Sequence, residues 1–251
     1  MKFGGRSVNM KKISELSERE QQRVIADLAT PDQFDTSIVK ALYYGHSFVN
    51  HYVKWERRNP EFVNLGFDQK DLLMFYHGDG GANIDNLLQD HNLEHVERIA
   101  PELVVVEVGT NDIANDMFGP SLLELKVETL IKELKDRRVR FVVINQVLYR
   151  GEAAYPDMSE HDRKQAMKLF QCKTVSYNME CERRINNIPN CMFKKHQGLW
   201  SNIEQCVNMR GVHLNDAGHK KLYNSLRSGV MRAMKRIRPA KYRQQQIEVL
   251  A

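Results

Sequence analysis

The sequence lacks any run of about 18 apolar residues, the length that a membrane-spanning helix needs, so we expect no membrane span. The first 20 residues carry three lysines and two arginines but no apolar segment typical of a secretory signal peptide. The four cysteines are 9, 10 and 15 positions apart and form no CxxC pair. We therefore expect neither a zinc site nor a disulfide framework, and the sequence predicts an intracellular protein, cytoplasmic or nuclear, with reduced thiols.

Internal repeats, low-complexity segments and linkers long enough to divide domains are also absent. With 251 residues, 42% of them hydrophobic, the chain can bury the core of one full-size domain. The sequence predicts three parts. They are an N-terminal extension with one helix at 11–29 (residues 1–35), a main domain (36–237) and a basic tail (238–251).

Positive charge is concentrated near the C-terminus. Residues 218–251 contain nine Lys or Arg and one acid, Glu248, so this segment has a net charge of +8. The whole chain has a net charge of +5, so residues 1–217 have a net charge of −3. Such a segment can bind the phosphates of nucleic acid, and the alternative is a solvated helix face. The segment has only two aromatic residues, Tyr223 and Tyr242, so it shows no clear stacking pattern for bases.

Short apolar runs alternate with segments of helical composition along the main domain. The runs predict strands at 37–44, 72–76, 103–108, 139–148 and 191–193. The segments between and after them predict helices, including 48–58, 120–135, 161–187 and 216–237. In 120–135 the side chains expected to face the core are Leu122, Leu123, Val127, Leu130, Ile131 and Leu134. This alternation predicts an α/β fold with a mostly parallel sheet between two layers of helices.

Polar or glycine-rich turns follow three of these strands, and a further polar loop precedes the last helix. In chain order they are Gly45-His46-Ser47, Gly80-Gly81-Ala82-Asn83, Gly109-Thr110-Asn111-Asp112 and Arg210-Gly211-Val212-His213-Leu214-Asn215. The turns after parallel strands fall on one edge of the sheet, so we expect Ser47, Gly81, Asn111 and His213 to meet. Considered alone, Ser47 is most simply a helix cap.

In this order, the four elements resemble those of the SGNH (GDSL-like) hydrolases. That family has a Gly-Asp-Ser turn, a glycine in a short turn, a Gly-x-Asn-Asp motif and an Asp-x-x-His motif followed by Leu-Asn. The resemblance covers about residues 37–226. It implies a three-layer α/β/α sandwich around a central, mostly parallel five-stranded sheet of the flavodoxin-like kind.

The resemblance also implies a role for each matching residue. Ser47 would be the nucleophile and His213 its general base, since a hydroxyl needs proton removal to attack. The oxyanion hole would consist of the Ser47 and Gly81 N–H groups and the Asn111 side chain. The residues that would support the site structurally are Gly45, His46, Gly80 and Asp112. The implied reaction is hydrolysis of a small-molecule or acyl ester through an acyl-serine intermediate, with no metal and no organic cofactor.

Two positions depart from the family pattern. His46 stands where the family has Asp, and we interpret it as a structural residue of the turn. Arg210 stands where the family has the acid that orients the histidine, and a guanidinium cannot accept a hydrogen bond from His213. Three alternatives follow. A backbone carbonyl orients His213, another acid reaches it (Asp79, Asp112 or Asp216), or the site is weakened to a binding pocket.

The sequence is also similar to SGNH-like domains of animal retroelement-derived proteins, in which a basic segment would suit RNA or DNA. The sequence therefore predicts one of two functions. The first is a serine esterase or deacylase. The second is a degenerate SGNH domain that acts as a non-catalytic binding or scaffold module, with nucleic acid at the basic tail.

Overall fold

The computed structural model describes residues 2–3, 6–7, 38–115, 119–200, 203–239 and 241–242. The chain forms two compact units, one of residues 38–233 and one of residues 1–37 and 234–251. In the latter, two short strands pair antiparallel, β1 (Lys2–Phe3) and β2 (Arg6–Ser7). The helix predicted at 11–29 lies outside the described residues, as do residues 240 and 243–251 of the predicted basic tail.

The unit of residues 38–233 is built on a five-stranded sheet with the order β4-β3-β5-β6-β7. All four strand pairs are parallel. The strands are β3 (Val39–Gly45), β4 (Leu72–Gly78), β5 (Leu103–Glu107), β6 (Phe141–Asn145) and β7 (Cys191–Lys194). Every residue of β5 and β6 is buried, as expected for central strands with helices on both faces. The predicted parallel sheet is confirmed.

Eight helices are described, most of them between or after these strands. They are α1 (Ser47–Arg58), α2 (Ile84–Leu87), α3 (Asp90–Ile99), α4 (Thr110–Ala114), α5 (Pro120–Asp136), α6 (Glu160–Ile185), α7 (Ile203–Cys206) and α8 (Asp216–Ile237). Short 3-10 segments occur at Pro60–Gly66 and Glu152–Ala154. None of the described helices combines the length and the apolarity that crossing a bilayer requires.

The helices form a layer on each face of the sheet. On one face, side chains of α2, α3, α5 and α6 join those of β3, β5 and β6 in a continuous buried cluster. On the other face, Tyr52 of α1 packs edge-on against Tyr43 of β3, and Trp55 of α1 stacks on His219 of α8. This arrangement confirms the predicted three-layer α/β/α sandwich.

One prediction about helix α5 is wrong. Leu123, Val127, Leu130 and Leu134 are buried as predicted, but the side chain of Leu122 is 43% exposed. Consecutive residues on a helix point about 100° apart, so one member of an adjacent pair can fall outside the buried face. Leu122 does so, whereas the adjacent Leu130 and Ile131 are both buried.

The three strands that precede the polar turns, β3, β4 and β5, end at the same level. Gly45 at the end of β3 pairs with Gly78 of β4 and with Glu107 of β5. A Cβ atom on Gly45 would lie 2.1 Å from the Glu107 carbonyl oxygen, so only glycine fits there. The Gly45 carbonyl accepts from the Asp79 N–H (2.9 Å), and the Glu107 carbonyl accepts from the His46 N–H (3.2 Å). These bonds fasten the first two turns to one edge of the sheet.

Candidate active site

Ser47 is the first residue of helix α1, and His46 before it is the N-cap. The buried His46 ring accepts a hydrogen bond from the Phe48 N–H at Nδ1 (3.3 Å). The simple expectation that Ser47 caps the helix is therefore wrong, because the His46 imidazole does so. The Ser47 hydroxyl lies instead 2.9 Å from Nε2 of His213, which is 166 positions later in the chain.

The loop of residues 207–215 holds His213 in this position. Its main organiser is Asn215, whose Nδ2 donates to the carbonyls of Gln205 (2.9 Å) and Val207 (3.0 Å). Asn215 Oδ1 accepts from the Gly218 N–H (2.9 Å) and so caps helix α8. This side chain thus fixes the entry to α8 and helps to order the loop that carries His213, whose own carbonyl accepts from the Asn208 N–H (2.7 Å).

The glycine-rich turn after β4 approaches the same edge. The Ala82 N–H donates to the Asp79 carbonyl (3.2 Å), and Gly81 within this turn has φ +78°. That backbone conformation favours glycine, although a Cβ on Gly81 would meet no atom within 4 Å. Among the described residues, the N–H groups of Ser47 and Gly81 have no hydrogen-bond acceptor. Gly80 lies in the same turn, where a Cβ would also find open space.

Asn111 and Asp112 lie in the first turn of helix α4 and connect it to the segment around the glycine-rich turn. Asn111 Nδ2 donates to the Ala82 carbonyl (2.9 Å), which leaves one of its two N–H bonds available. Asp112 is buried and accepts from the Ile84 N–H (3.1 Å). Burial raises the pKa of Asp112. Its carboxylate forms no hydrogen bond with His213 and instead holds the backbone at Ile84, just after the glycine-rich turn.

No carboxylate among the described residues hydrogen-bonds to His213, so the structure brings none of the three proposed substitute acids to it. Asp216 is exposed and lies 3.7 Å from Arg58, while Asp79 accepts from Asn92 (3.4 Å). Arg210, at the position of the family acid, is exposed. Aromatic rings restrict His213 instead. His51 stacks on it with centroids 3.8 Å apart, and the Phe48 ring lies 5.6 Å away.

The electrostatic surroundings of His213 favour its neutral form. Burial lowers the pKa of His213 to about 4, and the neighbouring His51 ring acts in the same direction. The positive charges of Arg150 and Arg210 lower this pKa further. Burial likewise lowers the pKa of His46 to about 3. At neutral pH both rings are uncharged, so His213 can accept a proton but is a weak base.

Two residues of this site were not found from the sequence. His51 is four positions after Ser47 on the same helix, and that spacing places both on one face of α1. Arg150 follows strand β6 on the edge where the other turns meet, and its Nη2 lies 3.4 Å from Asn111 Oδ1. The sequence shows the spacing of His51 from Ser47 and the place of Arg150 after a predicted strand, but it does not show the contacts that these two residues make.

All four cysteines are free thiols. Cys172 is an exposed free thiol, and Cys181, Cys191 and Cys206 are buried free thiols. In the part of the chain that the structure describes, no group of three or more His, Cys, Asp or Glu side chains is placed to hold a metal ion.

Comparison with known proteins by sequence gives no match, since no family model and no curated protein matches the chain. Comparison with solved structures does. A candidate acylhydrolase from Bacteroides fragilis superposes with a TM-score of 0.60 at 18% identity, covering 87% of this chain and 97% of that one. A GDSL-like lipase from Bacteroides thetaiotaomicron gives 0.58 at 17% identity, with 85% and 97% covered.

An acetyl esterase mutant with an acetate ion also matches, with a TM-score of 0.56 at 12% identity, covering 80% of this chain and all of that one (100%). These chains are matched over nearly their full length. At sequence identities of 12–18%, this structural likeness shows the fold alone. The chain has the fold of the SGNH (GDSL-like) hydrolases.

Proposed function

We propose that this protein is a serine esterase or deacylase that hydrolyses an ester through an acyl-serine intermediate. The observation that carries the proposal is the 2.9 Å contact between Ser47 Oγ and His213 Nε2, which joins a hydroxyl to a neutral base. The hydrolase names of the structural neighbours, an acylhydrolase, a lipase and an acetyl esterase, support it.

In the acylation half of the reaction, Ser47 Oγ attacks the ester carbonyl while His213 Nε2 takes its proton. The carbonyl oxygen becomes an oxyanion, which accepts hydrogen bonds from the Ser47 and Gly81 N–H groups and from the remaining Asn111 Nδ2–H. The N-terminus of α1 adds the positive end of its dipole. The carbon–oxygen bond to the alcohol then breaks, and the alcohol leaves with the proton from His213.

In the deacylation half, a water molecule attacks the acyl-serine carbonyl and gives its proton to His213. The same three donors hold the second oxyanion. Collapse of this intermediate breaks the bond to Ser47 Oγ, which regains a proton from His213. The products are a carboxylic acid and the free serine.

Among the described residues no acid lies beside His213, and we expect this to lower the rate of the reaction without changing its steps. Neutral imidazole must carry its proton on Nδ1 for Nε2 to accept from Ser47, and a carboxylate normally fixes that tautomer and stabilises the imidazolium. Here the stacked His51 ring restricts the ring plane without supplying charge. Loss of such a carboxylate costs about 10⁴ in rate elsewhere, so we expect a slow enzyme.

Hydrolysis of p-nitrophenyl acetate tests the proposal. We expect wild type to turn over and Ser47→Ala to lose at least about 100-fold in kcat/KM. Ser228→Ala on helix α8, where the hydroxyl accepts from Lys194, is the matched control and should keep full activity. A correctly folded wild type without turnover would rule out the esterase and favour the non-catalytic binding module. Nucleic acid at the basic tail stays a prediction.

A further inference from the structure

Arg150 places a positive charge beside the candidate oxyanion hole. It lies in the loop after β6, and its Nη2 donates to Asn111 Oδ1 (3.4 Å). Its guanidinium carbon is 5.3 Å from the centroid of the Phe170 ring. The Nε atom is buried and has no hydrogen-bond partner among the described residues. The guanidinium is therefore half-buried, with donors left over after its bond to Asn111.

None of the acidic side chains that the structure describes neutralises this charge. Glu152, two residues along the chain, lies 4.0 Å from Arg163, and Glu204 accepts from the Glu152 N–H (3.0 Å). Within the described part of the chain, Arg150 forms no ion pair with any carboxylate. A partly buried guanidinium without a counter-charge is unfavourable by itself, and burial lowers the pKa of Arg150 accordingly.

Arg210 adds a second positive charge to the same site. It stands at the position of the family acid, and the charges of both arginines lower the pKa of His213. Residues 38–233, the unit that contains the site, are close to neutral overall, with 26 Lys or Arg against 25 Asp or Glu. The site thus combines two cations with a surrounding unit that is nearly neutral. Such a local field attracts anions.

We infer that the ester substrate carries a negatively charged group, which pairs with Arg150 while its carbonyl lies against Ser47. The inference rests on the proposed esterase function and names the class of substrate for it. Arginine suits this role because its planar fork of N–H donors binds anionic oxygens with two parallel hydrogen bonds. The charge acts on either the acyl side or the alcohol side of the scissile bond, and substrates of both kinds distinguish them.

Matched pairs of esters provide the test. For the acyl side, mono-p-nitrophenyl glutarate is compared with neutral p-nitrophenyl valerate. For the alcohol side, 4-acetoxybenzoate is compared with its methyl ester. We expect wild type to prefer the anionic member of at least one pair by about tenfold or more in kcat/KM. Arg150→Gln should abolish that preference, and Arg150→Lys should keep part of it. The control Arg163→Gln should retain the wild-type ratio.

Three results would overturn the inference. The first is a wild type without a charge preference in either pair, and the second is an Arg150→Gln variant with full activity and an unchanged preference. The third is an Arg150→Gln variant that loses activity equally for charged and neutral esters, which would make Arg150 a positioning residue for Asn111. In each of these cases, hydrolysis through Ser47 leaves the proposed function standing.

Failure of the proposed function has a different signature, namely that no ester in either pair is hydrolysed. Binding to the Ser47→Ala variant then tests the inference without catalysis. By calorimetry, we expect the anionic ester of at least one pair to bind about tenfold more tightly than its neutral partner. Introducing Arg150→Gln into this variant should remove the difference. Equal binding within both pairs to Ser47→Ala would contradict the inference.

Discussion

The imidazole ring of His51 lies flat against that of His213, with centroids 3.8 Å apart and an angle of 18° between the planes. His51 follows Ser47 by four residues, so helix α1 presents the hydroxyl and this ring on one face. The same helix therefore supplies the candidate nucleophile and a flat surface that restricts the candidate base. In an SGNH site with an acid, a carboxylate would restrict the histidine.

Removing the His51 ring should misplace His213. We expect His51→Ala to lower kcat/KM for p-nitrophenyl acetate about tenfold, because small displacements of a catalytic group are costly. His51→Phe keeps a flat ring and should retain most of the activity. The kinetic comparison of both variants with wild type checks this. A His51→Ala enzyme as active as wild type would show that the stacked ring does not position the base.

The acidic limb of the pH–rate profile should lie near pH 4. Only neutral His213 accepts the Ser47 proton, and burial lowers the pKa of His213 to about 4. Activity should therefore persist as the pH falls through 6.5, the usual histidine value, and decline around pH 4. The measurement is kcat/KM against pH, with circular dichroism at each pH to confirm that the protein stays folded. A limb near pH 6.5 in folded protein would contradict this prediction.

An acid at position 210 should supply the carboxylate that orients the histidine in the SGNH family. We expect Arg210→Asp to raise kcat/KM by about tenfold or more, since a carboxylate can hold the Nδ1–H tautomer and stabilise the imidazolium. The same charge change should raise the pKa of His213 and move the acidic limb to higher pH.

Arg210→Gln is the matched control for this substitution. It removes the positive charge without adding a carboxylate, so we expect a smaller rise in the pKa of His213 and little gain in rate. A gain in Arg210→Gln equal to that in Arg210→Asp would show that the charge of Arg210, and not a missing acid, limits the site.

Glu107 beneath the site should make stability depend on pH. Burial raises the pKa of Glu107 to about 7, although Asn145 Nδ2 and Tyr43 OH each donate to its Oε2 at 2.9 Å. Because the pKa in the folded protein is above the unfolded value, this contribution to stability is complete below about pH 4.5 and is lost as the pH rises through about 7.

Glu107→Gln removes this titration. From a pKa difference of about 2.5, we expect the variant to exceed wild type by up to about 3 kcal/mol in unfolding free energy above pH 8 and to approach it near pH 5. Urea unfolding of both proteins at several pH values measures the difference. A gap that does not change with pH would mean that Glu107 does not titrate in this range.

Much of the fold could be predicted because its strands are short, almost wholly apolar and separated by helices. The almost wholly apolar run that forms β5 predicts a central strand of a parallel sheet, which helices cover on both faces. Convergence of Ser47 and His213 follows from the same topology, since strand ends meet at one edge. The width of the buried face of α5 could not be predicted from its apolar residues, since Leu122 lies outside that face while Leu123 lies within it.

The finer features of the site depend on contacts that span the chain. Asp216 and Asn215 are neighbours and both are good helix caps, and only the fold shows that Asn215 caps α8. The bond between Arg150 and Asn111 joins residues 39 positions apart, so no local pattern encodes it. Likewise, the sequence revealed that an acid was missing before His213 but not that a histidine ring lies against it.

The central claim is that Ser47 is a nucleophile activated by His213. The most direct measurement is reaction of the folded protein with a fluorophosphonate probe, followed by mass spectrometric identification of the modified residue. We predict a single adduct on Ser47 that is absent in Ser47→Ala and at least about 100-fold slower to form in His213→Ala. Folded wild type that forms no adduct, or carries it on another residue, would contradict the claim.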